Sequence, residues 1–110
     1  MSNMKNILII SDPEETPRTI EMMFKGVCLM TRVGRLHYEY VNNGVKYEFK
    51  SLASADLVDA DNIFTNWIMG RKFDSVWLTK RINTKIPNTI KDALLSSVDS
   101  GNFGIVDSWN

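Results

Sequence analysis

The sequence predicts an α/β fold: a single domain with a mixed sheet, whose elements follow the order β-α-β-β-α-β-α-β. Two observations carry this prediction. Short apolar runs typical of buried parallel strands alternate with segments whose apolar residues recur at helical spacing. Two alternating strands also flank an Asn-Gly turn. A length of 110 residues allows one hydrophobic core, so residues 1–110 are expected to form one domain.

The amino-terminal part of the chain predicts a buried strand followed by a helix. The run Ile-Leu-Ile-Ile at residues 7–10 is typical of a strand covered on both faces. A threonine and a proline at residues 16–17 provide a cap and a first-turn residue for the helix. The helix ends either at Gly26 or, in the longer form that we favour, after Arg32 with a stop at Gly34.

The clearest local signal is an aromatic β-hairpin around Asn43-Gly44. Alternating polar and apolar residues lie on both sides of this dipeptide, which favours a two-residue turn. The resulting register pairs Glu39 with Glu48 on one face, a like-charge contact that the aromatic pairs on the other face should outweigh. We expect the hairpin at an edge of the sheet or projecting from it. The aromatic residues are Tyr38, Tyr40, Tyr47 and Phe49.

The second half of the chain predicts helices that alternate with short strands. Asp59 or Asp61 can cap a helix that Gly70 would end. The remaining predicted elements are a strand at residues 75–79, a helix that opens at Pro87, and a strand at residues 103–106.

The loop after the first strand is where open α/β sheets bind ligands, and here it lacks an intact phosphate-binding motif. Against the pattern GxxxxGK[ST], Arg18 and Thr19 occupy the last two positions, but Asp12 and Pro17 replace both glycines. Prolines without N–H groups and three carboxylates disfavour a phosphate cradle. The strand that should end in a magnesium-binding acid runs into Thr79 instead. These features argue against nucleotide hydrolysis.

The layout of the first eighty residues nevertheless follows a known arrangement. A strand at residues 7–10, a helix-capping loop that ends in Arg18 and Thr19, an inserted hairpin, a helix and the segment GRKFDSVWL at residues 70–78 succeed one another. This order resembles that of small bacteriophage-encoded P-loop-like proteins. The resemblance implies a phage origin and a degenerate, non-hydrolytic nucleotide site.

Charge distribution limits the classes of partner. Thirteen basic and thirteen acidic residues give a net charge of zero, so no global field attracts nucleic acid or anionic lipid. Residues 71–91 contain six basic residues and one acid, so this segment forms either a solvated surface or a local basic face. The alternative nucleotide- or nucleic-acid-binding set comprises Arg18, Thr19, Arg71, Lys72, Lys80 and Arg81.

Catalytic and metal-binding constellations are absent from the predicted elements. His37, the only histidine, lies between Arg35 and Glu39 in the strand alternation, which predicts a solvated position. The three carboxylates at residues 12–15 either bind a metal or complement a helix dipole, and we favour the dipole. We therefore predict no catalytic residue, metal or cofactor, and more readily a binding protein than an enzyme.

The leading hypothesis from sequence is a non-enzymatic interaction module, such as a phage accessory or inhibitor protein that binds a host protein or itself. Its predicted surface is the aromatic face of the hairpin, because four aromatic side chains must be covered by helices or by a partner. The alternative is a nucleotide- or nucleic-acid-binding domain. A lone cysteine, Cys28, and the lack of a signal-like or membrane-length apolar run predict a cytoplasmic protein without membrane contact.

Overall fold

A computed structural model describes residues 4–14, 31–34, 36–53, 64–98 and 102–106. Its helices are α1 (Phe64–Ile68), α2 (Lys80–Asn83) and α3 (Asn88–Ser96). Its strands are β1 (Lys5–Ser11), β2 (Thr31–Gly34), β3 (His37–Asn42), β4 (Val45–Ser51), β5 (Ser75–Thr79) and β6 (Phe103–Val106). The described strands form one mixed sheet in the order β2-β3-β4-β1-β5-β6, which confirms the α/β class.

Strand β1 lies at the centre of the sheet, with β4 and β5 parallel to it on either side. In this register Ile9 is opposite Phe49 on one side and opposite Trp77 on the other. Leu8 and Ile10 are fully buried on the opposite face from Ile9, which is buried too. A continuous apolar run suits this position because side chains on both faces of a central parallel strand leave water.

The turn between β3 and β4 is formed by Asn43 and Gly44, whose φ angles are 52° and 78°. Both angles are positive, as a two-residue hairpin turn with the right-handed strand twist requires. The structure places Tyr40 opposite Tyr47 and Glu39 opposite Glu48.

Two expectations for this region are wrong. The hairpin is not an appendage, because β4 pairs along its whole length with β1 inside the sheet. The longer first helix does not reach Arg32, because Thr31–Gly34 is strand β2 and pairs antiparallel with β3. Pairing with the free edge of β3 satisfies the backbone there and overrides a weak helical pattern. The shorter form of that helix lies outside the described residues.

The helices after the hairpin end and begin at residues that the sequence predicts. Gly70, with φ 78°, follows α1 in the left-handed conformation that ends helices. Pro87 is the N-cap residue of α3, and β5 and β6 have the predicted bounds. Helix α2 was not predicted: it is four residues long, and the Thr79 hydroxyl caps it by accepting a 3.4 Å hydrogen bond from the Ile82 amide. The predicted capping residues Asp59 and Asp61 lie outside the described residues.

The hydrophobic core lies between the helices and the face of the sheet that carries Leu8 and Ile10. Its members in α1 and α3 follow the helical spacing that the sequence predicts. No helix in the described part of the chain is long and apolar enough to span a membrane. The buried members of this cluster are Leu8, Ile10, Leu52, Phe64, Ile68, Phe73, Val76, Leu78, Ile82, Ile86, Ile90 and Leu94.

Candidate functional site

A cluster of charged side chains, which we call the carboxyl-edge cluster, lies where β1 and β5 end. The two strands are parallel, so their carboxyl ends meet at one edge of the sheet. Asp12 follows β1 directly, while Arg81 and Lys85 are carried by α2 and the turn after it. The cluster consists of Asp12, Glu14, Arg81 and Lys85.

Both cations of the carboxyl-edge cluster converge on Asp12. Lys85 Nζ donates to Asp12 Oδ2 at 2.5 Å, and Arg81 Nε lies 3.8 Å from the same oxygen. Arg81 Nη2 also donates to Glu14 Oε2 at 2.7 Å. Arg81 and Lys85 keep 48% and 42% of their side-chain surface exposed, whereas Asp12 is buried. The cluster therefore presents two accessible cations around one buried anion.

Asp12 also organises the start of its loop. Its Oδ1 accepts a 3.0 Å hydrogen bond from the backbone amide of Glu14, a turn that Asp commonly forms. Burial is the largest influence on the Asp12 pKa and raises it. The hydrogen bonds from Lys85 and the Glu14 amide, with the charges of Lys85 and Arg81, outweigh burial, so the pKa lies below its ordinary value.

This lowered pKa predicts a pH dependence of stability. Because the folded-state pKa of Asp12 is below the unfolded value of about 3.9, its contribution is complete above that value and is lost as the pH falls through the folded pKa. Asp12→Asn should therefore lower the free energy of unfolding by about 1–3 kcal/mol at pH 7. The difference from wild type should shrink below about pH 4. Urea unfolding at pH 7, 5, 4 and 3 measures this, and a pH-independent difference would contradict it.

A second polar group, which we call the inner polar cluster, lies on the core-facing side of the sheet beneath α1. It consists of His37, Glu48, Lys50, Trp67 and Arg71. His37 Nε2 and Glu48 Oε1 are 2.9 Å apart, and Arg71 Nη2 donates to the same oxygen at 2.6 Å. The Arg71 guanidinium lies 4.3 Å and the Lys50 ammonium 5.4 Å from the Trp67 ring centre. His37 meets that ring edge-on at 5.1 Å.

The prediction of a solvated His37 is wrong. His37 is 7% exposed and Glu48 is 2% exposed, because Trp67 of α1 covers this part of the sheet. Burial has the largest effect on the Glu48 pKa and raises it, but the His37 hydrogen bond and the Arg71 charge outweigh burial. The pKa of Glu48 is therefore lowered, and its carboxylate is ionised inside the protein.

The aromatic face of the hairpin lies on the other side of the sheet. Tyr40 and Tyr47 stack with ring centres 6.2 Å apart and an angle of 28° between the planes. Tyr38, Tyr40 and Tyr47 are half-buried, whereas Phe49 is fully buried within the protein itself. A role in partner binding stays a prediction for the three tyrosines, and Phe49 contributes to the interior.

The basic segment does not form one continuous face. Arg71 and Lys72 precede β5, and their side chains contact Glu48 and the Ser96 carbonyl respectively. Lys80 and Arg81 follow β5, so they lie at the opposite end of that strand from Arg71 and Lys72. Arg18 and Thr19 lie outside the described residues. Sequence reasoning omitted Lys85 from the binding set, although it stands one helical turn beyond Arg81, where the same edge is within reach.

The fold and the carboxyl-edge cluster define an α/β protein with a charged site at the position where such sheets bind ligands. No protein family and no curated protein matches the sequence. Among solved structures, the chain is similar to the large terminase from a thermophilic bacteriophage, in complex with ADP. The TM-score is 0.57 at 10% sequence identity, over 94% of this chain and 25% of the terminase. The chain thus spans about a quarter of that protein, and the similarity shows a shared fold.

Proposed function

We propose that this chain is a nucleotide-binding domain that holds the phosphates of its ligand at the carboxyl-edge cluster without hydrolysing them. The observation that carries the proposal is the convergence of Arg81 and Lys85 on Asp12, with both cations accessible to solvent. The cluster lies beyond the carboxyl end of the central strand. The sheet continues on both sides of that strand, with β4 on one side and β5 on the other, and this is the arrangement in which open α/β sheets form a ligand crevice.

A phosphate group can take the place of Glu14 on Arg81. The Arg81–Glu14 pair is exposed, with 48% and 76% of the two side chains accessible, and such pairs contribute at most about 1 kcal/mol. A guanidinium forms two parallel, charge-assisted hydrogen bonds to phosphate oxygens. The exchange therefore costs little and leaves Arg81 with a more highly charged partner.

Asp12 has a different role in this proposal. It is buried and accepts hydrogen bonds from Lys85 and the Glu14 amide, so it positions the lysine and the loop. Its carboxylate repels phosphate, and the two cations must offset that repulsion. Asp12 and Pro17 stand where a hydrolytic phosphate loop has glycines, which supports binding without turnover. The shared fold with a terminase that binds ADP supports a nucleotide as the ligand class.

The test is calorimetric titration of the protein with ADP, with adenosine as the matched ligand that lacks phosphates. We expect ADP to bind at low salt with an affinity that falls as salt rises, adenosine not to bind measurably, and no phosphate to be released from ATP. Glu14→Gln removes the anion that competes for Arg81, so it should tighten ADP binding several-fold. Equal binding of ADP and adenosine, or weaker binding by Glu14→Gln, would contradict the proposal.

A further inference from the structure

A group of three metal-ligating side chains lies at the hairpin, away from the carboxyl-edge cluster. A ring nitrogen of His37 and one carboxylate oxygen each from Glu39 and Glu48 lie within 4.8 Å of one another. Glu39 is two residues after His37 on β3, and Glu48 lies directly opposite Glu39 on β4. The strand alternation therefore brings all three to the same face of the sheet. We propose that His37, Glu39 and Glu48 form a site for a divalent transition ion of the Zn²⁺ class.

The separations suit a single ion. Nitrogen and carboxylate ligands lie about 2.0–2.2 Å from Zn²⁺, so two ligand atoms on a tetrahedral ion are about 3.3–3.6 Å apart. His37 Nε2 and Glu48 Oε1, 2.9 Å apart, must therefore separate slightly, and the wider pairs of ligand atoms must approach by no more than about 1.5 Å. One imidazole with two carboxylates is a borderline donor set, which favours Zn²⁺ over the purely oxygen-ligated Mg²⁺ and Ca²⁺.

Two of the three side chains are buried, which is unusual for charged residues. His37 and Glu48 face the hydrophobic side of the sheet, where α1 covers them. Glu39 and Glu48 are also cross-strand neighbours of like charge, an arrangement that costs stability unless cations compensate it, as Lys46 and Arg71 do in the structure. A divalent ion would neutralise both carboxylates at once, and the side chain of Glu39, 26% exposed, gives it a route from solvent.

Two protein cations pair with these carboxylates in the structure. Arg71 Nη2 lies 2.6 Å from Glu48 Oε1, and Lys46 Nζ lies 3.1 Å from Glu39 Oε2. Their side chains are 34% and 30% exposed, so both can turn toward water when an ion binds. Lys50 lies opposite His37 in the register and faces Trp67. Metal binding is therefore a competition with Arg71 and Lys46, and removing either cation should strengthen it.

The experiment is a titration with Zn²⁺, and with Co²⁺ as a spectroscopic substitute, in the absence of nucleotide. A Cys28→Ser background removes the only thiol, and His37 is the only histidine, so an imidazole signal has one source. We expect one ion per chain and a ¹⁵N shift of the His37 Nε2 resonance on Zn²⁺ binding. His37→Gln and Glu39→Gln should each weaken binding by more than about tenfold. Asp92→Asn, an exposed carboxylate elsewhere, is the matched control and should have no effect.

Lys46→Gln gives an independent test, because it leaves all three ligands in place. We expect this variant to bind Zn²⁺ several-fold more tightly than the Cys28→Ser parent. Because Glu39 is only half-buried, we expect the Glu39→Gln variant to stay folded even if His37→Gln does not. Circular dichroism checks this. Absence of saturable Zn²⁺ binding, equal affinity in Glu39→Gln and its parent, or no gain in Lys46→Gln would overturn the proposal.

Discussion

Glu48→Ala is expected to destabilise the protein by about 3 kcal/mol, the largest effect that we predict for a single polar substitution. The Glu48 side chain is 3% exposed and accepts hydrogen bonds from both His37 and Arg71. Its removal leaves a buried imidazole and a guanidinium without their anion. Breaking a buried ion pair from one side costs about 3–5 kcal/mol. We expect the lower end because Arg71, 34% exposed, can regain water.

The measurement is the unfolding free energy from urea denaturation, with Glu39→Gln as the matched control. Glu39 lies opposite Glu48 in the same hairpin, but its pair with Lys46 is partly exposed, so its loss should cost less than about 1 kcal/mol. Destabilisation of similar size in the two variants would contradict this prediction. It would show that the burial of the inner polar cluster does not determine how much its ion pairs add to the free energy of unfolding.

The second large effect concerns ligand affinity. Reversing both charges in Arg81→Glu/Lys85→Glu should weaken ADP binding by more than about a hundredfold. It removes two charge-assisted contacts and places four acids around the phosphates. Both side chains are nearly half exposed, so the fold should tolerate the change. Calorimetry at low salt measures the effect.

Lys72→Glu is the control for this prediction. Lys72 is exposed and donates to the Ser96 carbonyl. It precedes β5, whereas the carboxyl-edge cluster lies at the other end of that strand. Its reversal changes the charge by two units, as each substitution in the double variant does, and should alter ADP affinity by less than about threefold, because exposed charges are screened beyond about 10 Å. Loss of binding in Lys72→Glu equal to that in the double variant would place the phosphate elsewhere.

Much of the sheet could be predicted because its strands carry strong local signals. The run at residues 7–10 is apolar on both faces, and Asn43-Gly44 favours positive φ at both turn positions. Strand β2 was missed because it is only four residues long and takes its conformation from pairing with the edge of β3. Local sequence does not contain that information.

The two polar clusters were predictable only in part. The end of β1 indicated where a ligand would bind, and Arg81 was among the candidates. Lys85 reaches Asp12 because of α2, which at four residues has no periodicity to detect. Alternation placed Glu39 and Glu48 on one face, but the sequence does not show which face α1 covers. The burial of His37 therefore depends on tertiary packing.

The most direct test of the proposed nucleotide site is an amide chemical-shift titration of the protein with ADP. If the phosphates bind at the carboxyl-edge cluster, the largest shifts will fall at residues 11–14 and 79–85, and adenosine will not reproduce them. Shifts concentrated instead around Tyr40 and Tyr47 in the hairpin, or around Arg71 and Lys72, would contradict it.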